Sequence, residues 1–412
     1  MMMRQSRIQQ AYKEFEKYTG LTNNPKARGK KGDVEIRQTP VDSTSMAQKF
    51  VDATISATGI SEILDYNDPK TPMGPFTRWQ LYQRPNGERE SSSTAYLQGL
   101  VDNNGKSYGR RKLTILSKTS ALRVLFDKNK KAIGVEYVKE GQFGRVFANK
   151  KVILCTGVFS PKLLMLSGVG PKKLLKERGI DVVFPNDNVG KNLVNHPLIN
   201  AVFTANPNDH GVPENDPNAL YVGGAFLPDP TLGSDQTKRG VQLIGMSPGA
   251  GTFMVCALLL NPKSRGYVEV QSNDPLKPVL ATDELFTNPD DLESFKNIFK
   301  VYIANIAAQL AAIDPQYQLV TPSLSIINDD DLLTDFIKEN VDIAHHWMGS
   351  CSMGKKGHRA VVNKYGHVIG VKDLVIADAS ISPFPNDGNT SAPAFMIGRV
   401  IAEQLIKAEK KK

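Results

Sequence analysis

The sequence is poor in cysteine. Its three (Cys155, Cys256 and Cys351) lie far apart and form no CxxC pair. That argues against a disulfide framework and against a thiolate zinc site, so no metal centre is expected and the thiols read as reduced and mostly buried. No apolar run approaches the length needed to cross a bilayer. The opening Met-Met-Met-Arg-Gln-Ser-Arg-Ile lacks the apolar stretch of a signal peptide. The expectation is a protein with neither membrane nor secretory signals, intracellular by default. A GxGxxG turn is missing too. Gly168-Val-Gly170 and Gly249-Ala-Gly251 come nearest, and neither continues to a third glycine. The sequence therefore lacks the strand–glycine turn–helix cradle that usually holds a dinucleotide diphosphate.

What is present is ordinary for a globular protein. With 412 residues, 40% hydrophobic and 23% charged, the chain has room for one or two domains. The net charge of +9 invites a nucleic-acid reading. Its basic clusters, such as Lys26 to Lys31 and Lys172 to Arg178, are scattered and carry no interleaved aromatics. Solvated surface is the better reading, and no nucleic-acid partner is expected.

Local patterns place several elements. Ile8, Ala11, Tyr12, Phe15 and Tyr18 recur at helical spacing, and the Lys/Gly-rich stretch from Pro25 to Gly32 reads as a linker. A helix is predicted over Met46–Thr58. Strands are predicted at Leu113–Leu116, Ala121–Phe126 and Ala132–Val138, the last two joined as a hairpin. Lys151–Cys155 reads as a buried strand ending at a ligand crevice, followed by a helix over Pro161–Leu166. Asn288 should cap a long helix over Asp290–Ala312, and Asp329 to Asp331 opens another through Glu339. Leu374–Ala377 reads as a strand with Asp378 at its carboxyl end. Thr390 or Ser391 should then cap a helix burying Met396, Ile397, Val400, Ile401 and Leu405. Asn389 would stand just before that helix N-terminus, where negative charge is favoured.

Four stretches carry a family resemblance. They are Thr156-Gly-Val-Phe-Ser-Pro-Lys-Leu-Leu-Met-Leu-Ser-Gly-Val-Gly170; Val189-Gly-Lys-Asn-Leu-Val-Asn-His-Pro197; Asn261-Pro-Lys-Ser-Arg-Gly266; and His346-Trp-Met-Gly-Ser-Cys-Ser-Met-Gly354, followed by Asp378-Ala-Ser380 and Gly388-Asn-Thr390. In this order they resemble the glucose–methanol–choline (GMC) oxidoreductases, FAD enzymes that oxidise alcohols, from about Gly32 to Ala408. The family usually carries Asp where this chain has Asn195.

The resemblance implies an α/β fold with α+β character: an incomplete Rossmann-like FAD-binding domain plus a discontinuous substrate domain built on an antiparallel sheet. The expected layout is an irregular segment at 1–31, the substrate domain at 32–105 and 198–345, and the FAD part at 106–197 and 346–412. It further implies that His346 takes the hydroxyl proton and Asn389 holds the substrate oxygen. Both types suit the task, since neutral imidazole is a base near pH 7 and an amide donates to a developing alkoxide. Asp378 and Ala379 would lie near the FAD ribityl and pyrophosphate, Asn389 and Thr390 against the isoalloxazine, and Ala121 by the adenine. Without the glycine turn, FAD binding is expected to be weak or absent. The chain then reads as a truncated member, inactive alone. The alternatives are an active alcohol oxidase or dehydrogenase completed by a separate N-terminal fragment, and a non-catalytic binding or structural protein. A small-molecule alcohol is the implied substrate.

Overall fold

The computed structural model describes residues 5–41, 46–71, 73–102, 105–108, 112–209, 220–355 and 359–410. Its largest sheet is antiparallel and seven-stranded. Leu319–Thr321, Pro197–Thr204, Thr252–Leu259, Val241–Gly249, Tyr221–Leu227 and Gly74–Phe76 lie side by side, and Asp342–Ile343 also pairs with Pro197–Thr204. Side chains alternate between its faces, as a two-residue period requires. Ile199, Ala201, Phe203, Phe253, Val255 and Ala257 face the helices, while Cys256, Leu258 and Leu260 face the other way onto Phe76, Trp79 and Phe226.

The helices on the first face are those the sequence marks. Met46–Thr58 buries Phe50, Ala53 and Thr54. A continuous helical stretch runs from Pro289 to Ile313, with a π-turn over Ile298–Ile303. Asn288 caps it by accepting from Asp290 N, as predicted. Asp329 likewise caps Asp330–Asn340 by accepting from Asp331 N and Leu332 N. A short helix over Leu324–Asn328 precedes that one and has no counterpart in the periodicity reading.

A second core gathers around Val152–Leu154 and Leu374–Ile376, which pair in parallel. Ser160–Leu166 packs onto it together with the three-stranded antiparallel sheet of Thr119–Phe126, Ala132–Lys139 and Gln142–Phe147. Among the described residues this parallel sheet has only these two strands, and Ile153 between them is 48% exposed. The outer edge of Leu374–Ile376 is covered by the turn at Gly366, where Val368 N donates to Leu374 O at 3.0 Å and Ile376 N to Gly366 O at 2.8 Å.

Three expectations need correction. The strand predicted at Leu113–Leu116 does not form; Thr114 makes an isolated bridge to Lys106, and Leu113 and Leu116 are exposed. Without a neighbour to cover its apolar side chains, the run gains nothing from extended pairing. Gln142–Phe147 is a strand the pattern did not reveal, because most of its residues are exposed on both faces and leave no alternation to read. Cys155 is exposed, although Cys256 and Cys351 are buried.

The first thirty residues are also more ordered than the linker reading implies. Gln5–Phe15 is helical, Glu16–Tyr18 pairs in parallel with Val34–Ile36, and Phe15 and Tyr18 are buried. Glycine at 29 and 32 serves close approach, not flexibility. A Cβ on Gly29 would stand 1.9 Å from Lys13 O, and one on Gly32 2.1 Å from Phe15 C. No helix among the described residues is long and apolar enough to cross a membrane.

Candidate active site

Two distant segments meet as a short antiparallel bridge. Val194 N donates to Met348 O and Met348 N to Val194 O, each at 3.0 Å. That pairing places His196 beside His346. Asn195 fixes both, because its Oδ1 accepts His196 N at 2.9 Å and His346 N at 2.7 Å. His345 sits at φ +55°, a left-handed conformation that histidine adopts more readily than bulkier residues. Gly349 closes the turn at φ +90°, where a Cβ would lie 2.3 Å from Asn192 O.

The two imidazoles touch edge to face, Nδ1 to Nδ1, at 2.9 Å. His346 Nε2 lies 3.2 Å from Asn389 Nδ2, and Gln242 Nε2 donates to Asn389 Oδ1 at 3.2 Å. His196 and Gln242 are fully buried, His346 is 9% exposed, and Asn389, between Gln242 and His346, is exposed. Burial, with the neighbouring His345, pushes the His346 pKa down to about 4. Burial and His346 push His196 down to about 3. Both rings are thus neutral at pH 7. Asp283, held by Trp347 Nε1 at 3.3 Å, has its carboxyl raised by burial, against the opposing effect of Trp347 and Asn195.

These shifts give a pH dependence with a definite sign. Above pH 6.5 the two histidines are neutral in folded and unfolded chains alike and contribute nothing. Below it the unfolded chain takes up protons that the folded chain refuses, so stability falls as pH drops towards about 4. The loss should be at most about 2–3 kcal/mol per histidine by pH 4.5, so up to about 5 kcal/mol for the pair. Urea unfolding from pH 7.5 to 4.5 checks this, because His196→Asn should flatten the decline. Equal slopes in both proteins would refute it.

The other predicted residues fall at the carboxyl ends of the parallel strands. Asp378 follows Leu374–Ile376, and its carboxylate is fully engaged. Oδ1 accepts Ser380 N at 2.8 Å, and Oδ2 accepts Gly157 N at 3.0 Å and Ser160 Oγ at 2.6 Å. It ties the turn after Val152–Leu154 to the turn after Leu374–Ile376. Ala379 O receives Gly349 N at 3.4 Å, which links that turn to the His346 loop. Thr390 precedes the helix Ser391–Glu409, but its side chain makes no cap and its backbone is already helical (φ −86°, ψ −10°). Ile397, Val400 and Ile401 are buried on that helix as expected, while Met396 and Leu405 are only half-buried. Ala121 stands exposed on Thr119–Phe126 opposite Tyr137, in a separate sheet from the histidines. Beside the helix N-terminus, a groove of about 780 Å³ is lined by Tyr82, Tyr96, Ser391, Phe395, Arg399 and Glu403.

Sequence reasoning gave His196 only a hydrogen bond within the fold, and it passed over Gln242. The signal for His196 was its place in the Asn-His-Pro stretch. For Gln242 it was a lone polar residue in the strand Val-Gln-Leu-Ile, where a fully buried amide needs partners.

Models of GMC oxidoreductase match residues 1–198 and residues 262–398. Alcohol dehydrogenase [acceptor] of Pseudomonas putida is 30% identical over 406 residues, covering 89% of this chain and 68% of that protein. The chain belongs to the GMC oxidoreductase family. The amino-terminal match begins at residue 1, so it includes the segment before Gly32 where the resemblance was expected to start. Oxygen-dependent choline dehydrogenase of Brucella anthropi is 28% identical, with 92% of this chain and 71% of that protein covered. Versicolorin B synthase of Aspergillus parasiticus is also 28% identical, and the chain spans 56% of its length. Pyridoxine 4-oxidase from Mesorbium loti shares the fold at a TM-score of 0.82 and 22% identity, over 97% of this chain and 77% of that one. Formate oxidase of Aspergillus oryzae RIB40 does so at 0.84 and 19%, over 98% and 78%.

The residues present offer the donor set that alcohol oxidation on a flavin would need: a neutral imidazole, His346, beside an amide, Asn389, at 3.2 Å. The space at Gly157 is open, with no atom within 4 Å of where its Cβ would lie. The sequence has no GxGxxG turn.

Proposed function

We propose that this GMC oxidoreductase carries an alcohol-oxidising centre that works with FAD, and that by itself the chain holds FAD weakly. The observation that carries this reading is the continuous hydrogen-bonded row Gln242–Asn389–His346–His196, whose His346 loop is tied through Gly349 N to Ala379 O in the turn after Leu374–Ile376. When bound, FAD would supply the hydride acceptor, which no side chain provides. The chain's own residues would do the rest. His346 Nε2 takes the hydroxyl proton as charge develops on the substrate oxygen, and the Asn389 amide donates to that oxygen. Asn195 holds the backbone of both histidines, so the base enters the crevice at a fixed angle. Asp378, Ala379 and Thr390 would line the flavin side, with Asp378 acting through the turns it ties together. Small primary or secondary alcohols suit this chemistry, as the names of the alcohol and choline dehydrogenase relatives also indicate.

The visible spectrum of the purified chain tests the reading. We expect colourless protein, flavin lost on gel filtration after FAD is added, and retention at least about tenfold better once a separate strand–GxGxxG–helix polypeptide is supplied. Flavin co-purifying in equal amount with the chain would overturn the weak-binding part. Failure of FAD plus that polypeptide to support reduction by any alcohol would overturn the activity.

A further inference from the structure

The polar row through the site has two self-consistent directions, because each amide and each neutral imidazole has one donor end and one acceptor end. The amide end decides between them. Asn389 Nδ2 only donates, and it lies 3.2 Å from His346 Nε2 while Asn389 Oδ1 receives Gln242 Nε2. His346 Nε2 must therefore accept, which puts the hydrogen of that ring on Nδ1, 2.9 Å from His196 Nδ1. His196 Nδ1 is left as the acceptor, and its own hydrogen is on Nε2.

Each remaining step is then fixed. His346 Nδ1–H donates to His196 Nδ1, so His346 Nε2 carries no hydrogen. Asn389 Nδ2 donates to that bare nitrogen at 3.2 Å, and Asn389 Oδ1 receives Gln242 Nε2 at 3.2 Å.

We infer that His196 is the positioning residue of the base: by accepting the Nδ1 hydrogen of His346 it holds that ring in the one tautomer whose bare Nε2 faces Asn389 and the crevice. A carboxylate often orients an imidazole in this way, and here a second, neutral imidazole does so. The titratable groups nearby do not compete for the role. Asp283 accepts from Trp347 Nε1 at 3.3 Å, and His345 is exposed, with its ring against Trp347. When His346 gains a proton at Nε2, its retained Nδ1–H stays bonded to the neutral His196 ring, which stabilises the imidazolium. The assignment rests on the alcohol-oxidation reading for its purpose. The direction of the row stands without it.

The test is nitrogen NMR of the full chain with isotope-labelled histidine and no flavin, with the two rings assigned through His346→Gln and His196→Asn. In the wild type, His346 should show a protonated Nδ1 and a bare Nε2, and His196 the reverse. His196→Asn puts an amide oxygen close to the place of Nδ1 and should keep the His346 tautomer. His196→Leu removes the acceptor and should release His346 to the Nε2–H form that free imidazole prefers. A wild-type His346 protonated at Nε2 would overturn the inference, as would a tautomer unchanged in His196→Leu. If His196→Leu does not fold, the wild type and His196→Asn still decide. Failure of FAD to bind leaves these readings untouched, so loss of the functional proposal and loss of this one are told apart.

Discussion

Replacing Arg28 by methionine should lower the unfolding free energy by about 3–5 kcal/mol, a large part of the 5–15 kcal/mol typical of folded domains. Arg28 lies inside the protein with its side chain 3% exposed. Its Nη2 and Nε hold Glu16 at 2.8 and 3.1 Å, and its Nη1 holds Asp65 at 2.7 Å and Gln80 Oε1 at 2.9 Å. The guanidinium also lies 3.5 Å over the Tyr18 ring. Burial lowers its affinity for the proton, but Glu16 and Asp65 outweigh that and raise it above the ordinary arginine value. Two carboxylates surround one cation, so removing the cation leaves both acids buried together with nothing to offset their repulsion. Arg28→Lys keeps a charge but loses the planar fork, and it should recover only part of the loss. Neutralising all three positions as Glu16→Gln, Arg28→Met and Asp65→Asn should recover more, since an apolar or neutral set avoids the desolvation cost. Urea unfolding of the three variants orders them. A loss under about 1 kcal/mol for Arg28→Met would mean that water reaches the cluster.

That cluster also shows where the sequence could and could not be read. Pro25 to Gly32 reads as a linker in the sequence because charge and glycine usually mark exposed turns. Arg28 is buried because Asp65 comes 37 residues later to meet it, and the glycines are there because the segment lies flat on the end of the first helix. Neither fact has a local signal. The helix from Pro289 was legible to its cap because Asn288, Pro289 and Asp290 act within one turn. The base was legible at His346 only through its surrounding motif. Its partner His196 is 150 residues away, and Gln242 is 147 residues from the amide it orients, so only the pairing of Val194 with Met348 brings the row together. The glycine turn was readable as missing from the sequence. Residue type and spacing identified the family, whereas tertiary pairing determines how its polar residues meet.

Replacing His346 by glutamine should slow alcohol-dependent bleaching of FAD by about 10²–10⁴-fold at saturating flavin, the range by which a positioned base speeds proton transfer. Glutamine can keep a hydrogen bond within the row but cannot take the proton, so FAD affinity and unfolding free energy should change little. Asn389→Ala removes a donor to the developing alkoxide. Its cost should be smaller, because Asn389 is exposed and water can replace it as a donor. The pH profile separates a buried base from an ordinary one. A free imidazole would give a rate that falls below pH 6.5. With His346 held down at about 4, the rate should stay level to about pH 5 and fall only as the protein itself becomes unstable. The low value has a cost: a weaker base gives up driving force, about 1.4 kcal/mol of proton affinity per pH unit. His196 offsets part of it, since its Nδ1 strengthens as an acceptor when His346 becomes charged. A rate limb near pH 6.5 would mean that substrate or flavin restores the base to its solution value. Bleaching in His346→Gln within tenfold of wild type would place the base on another residue.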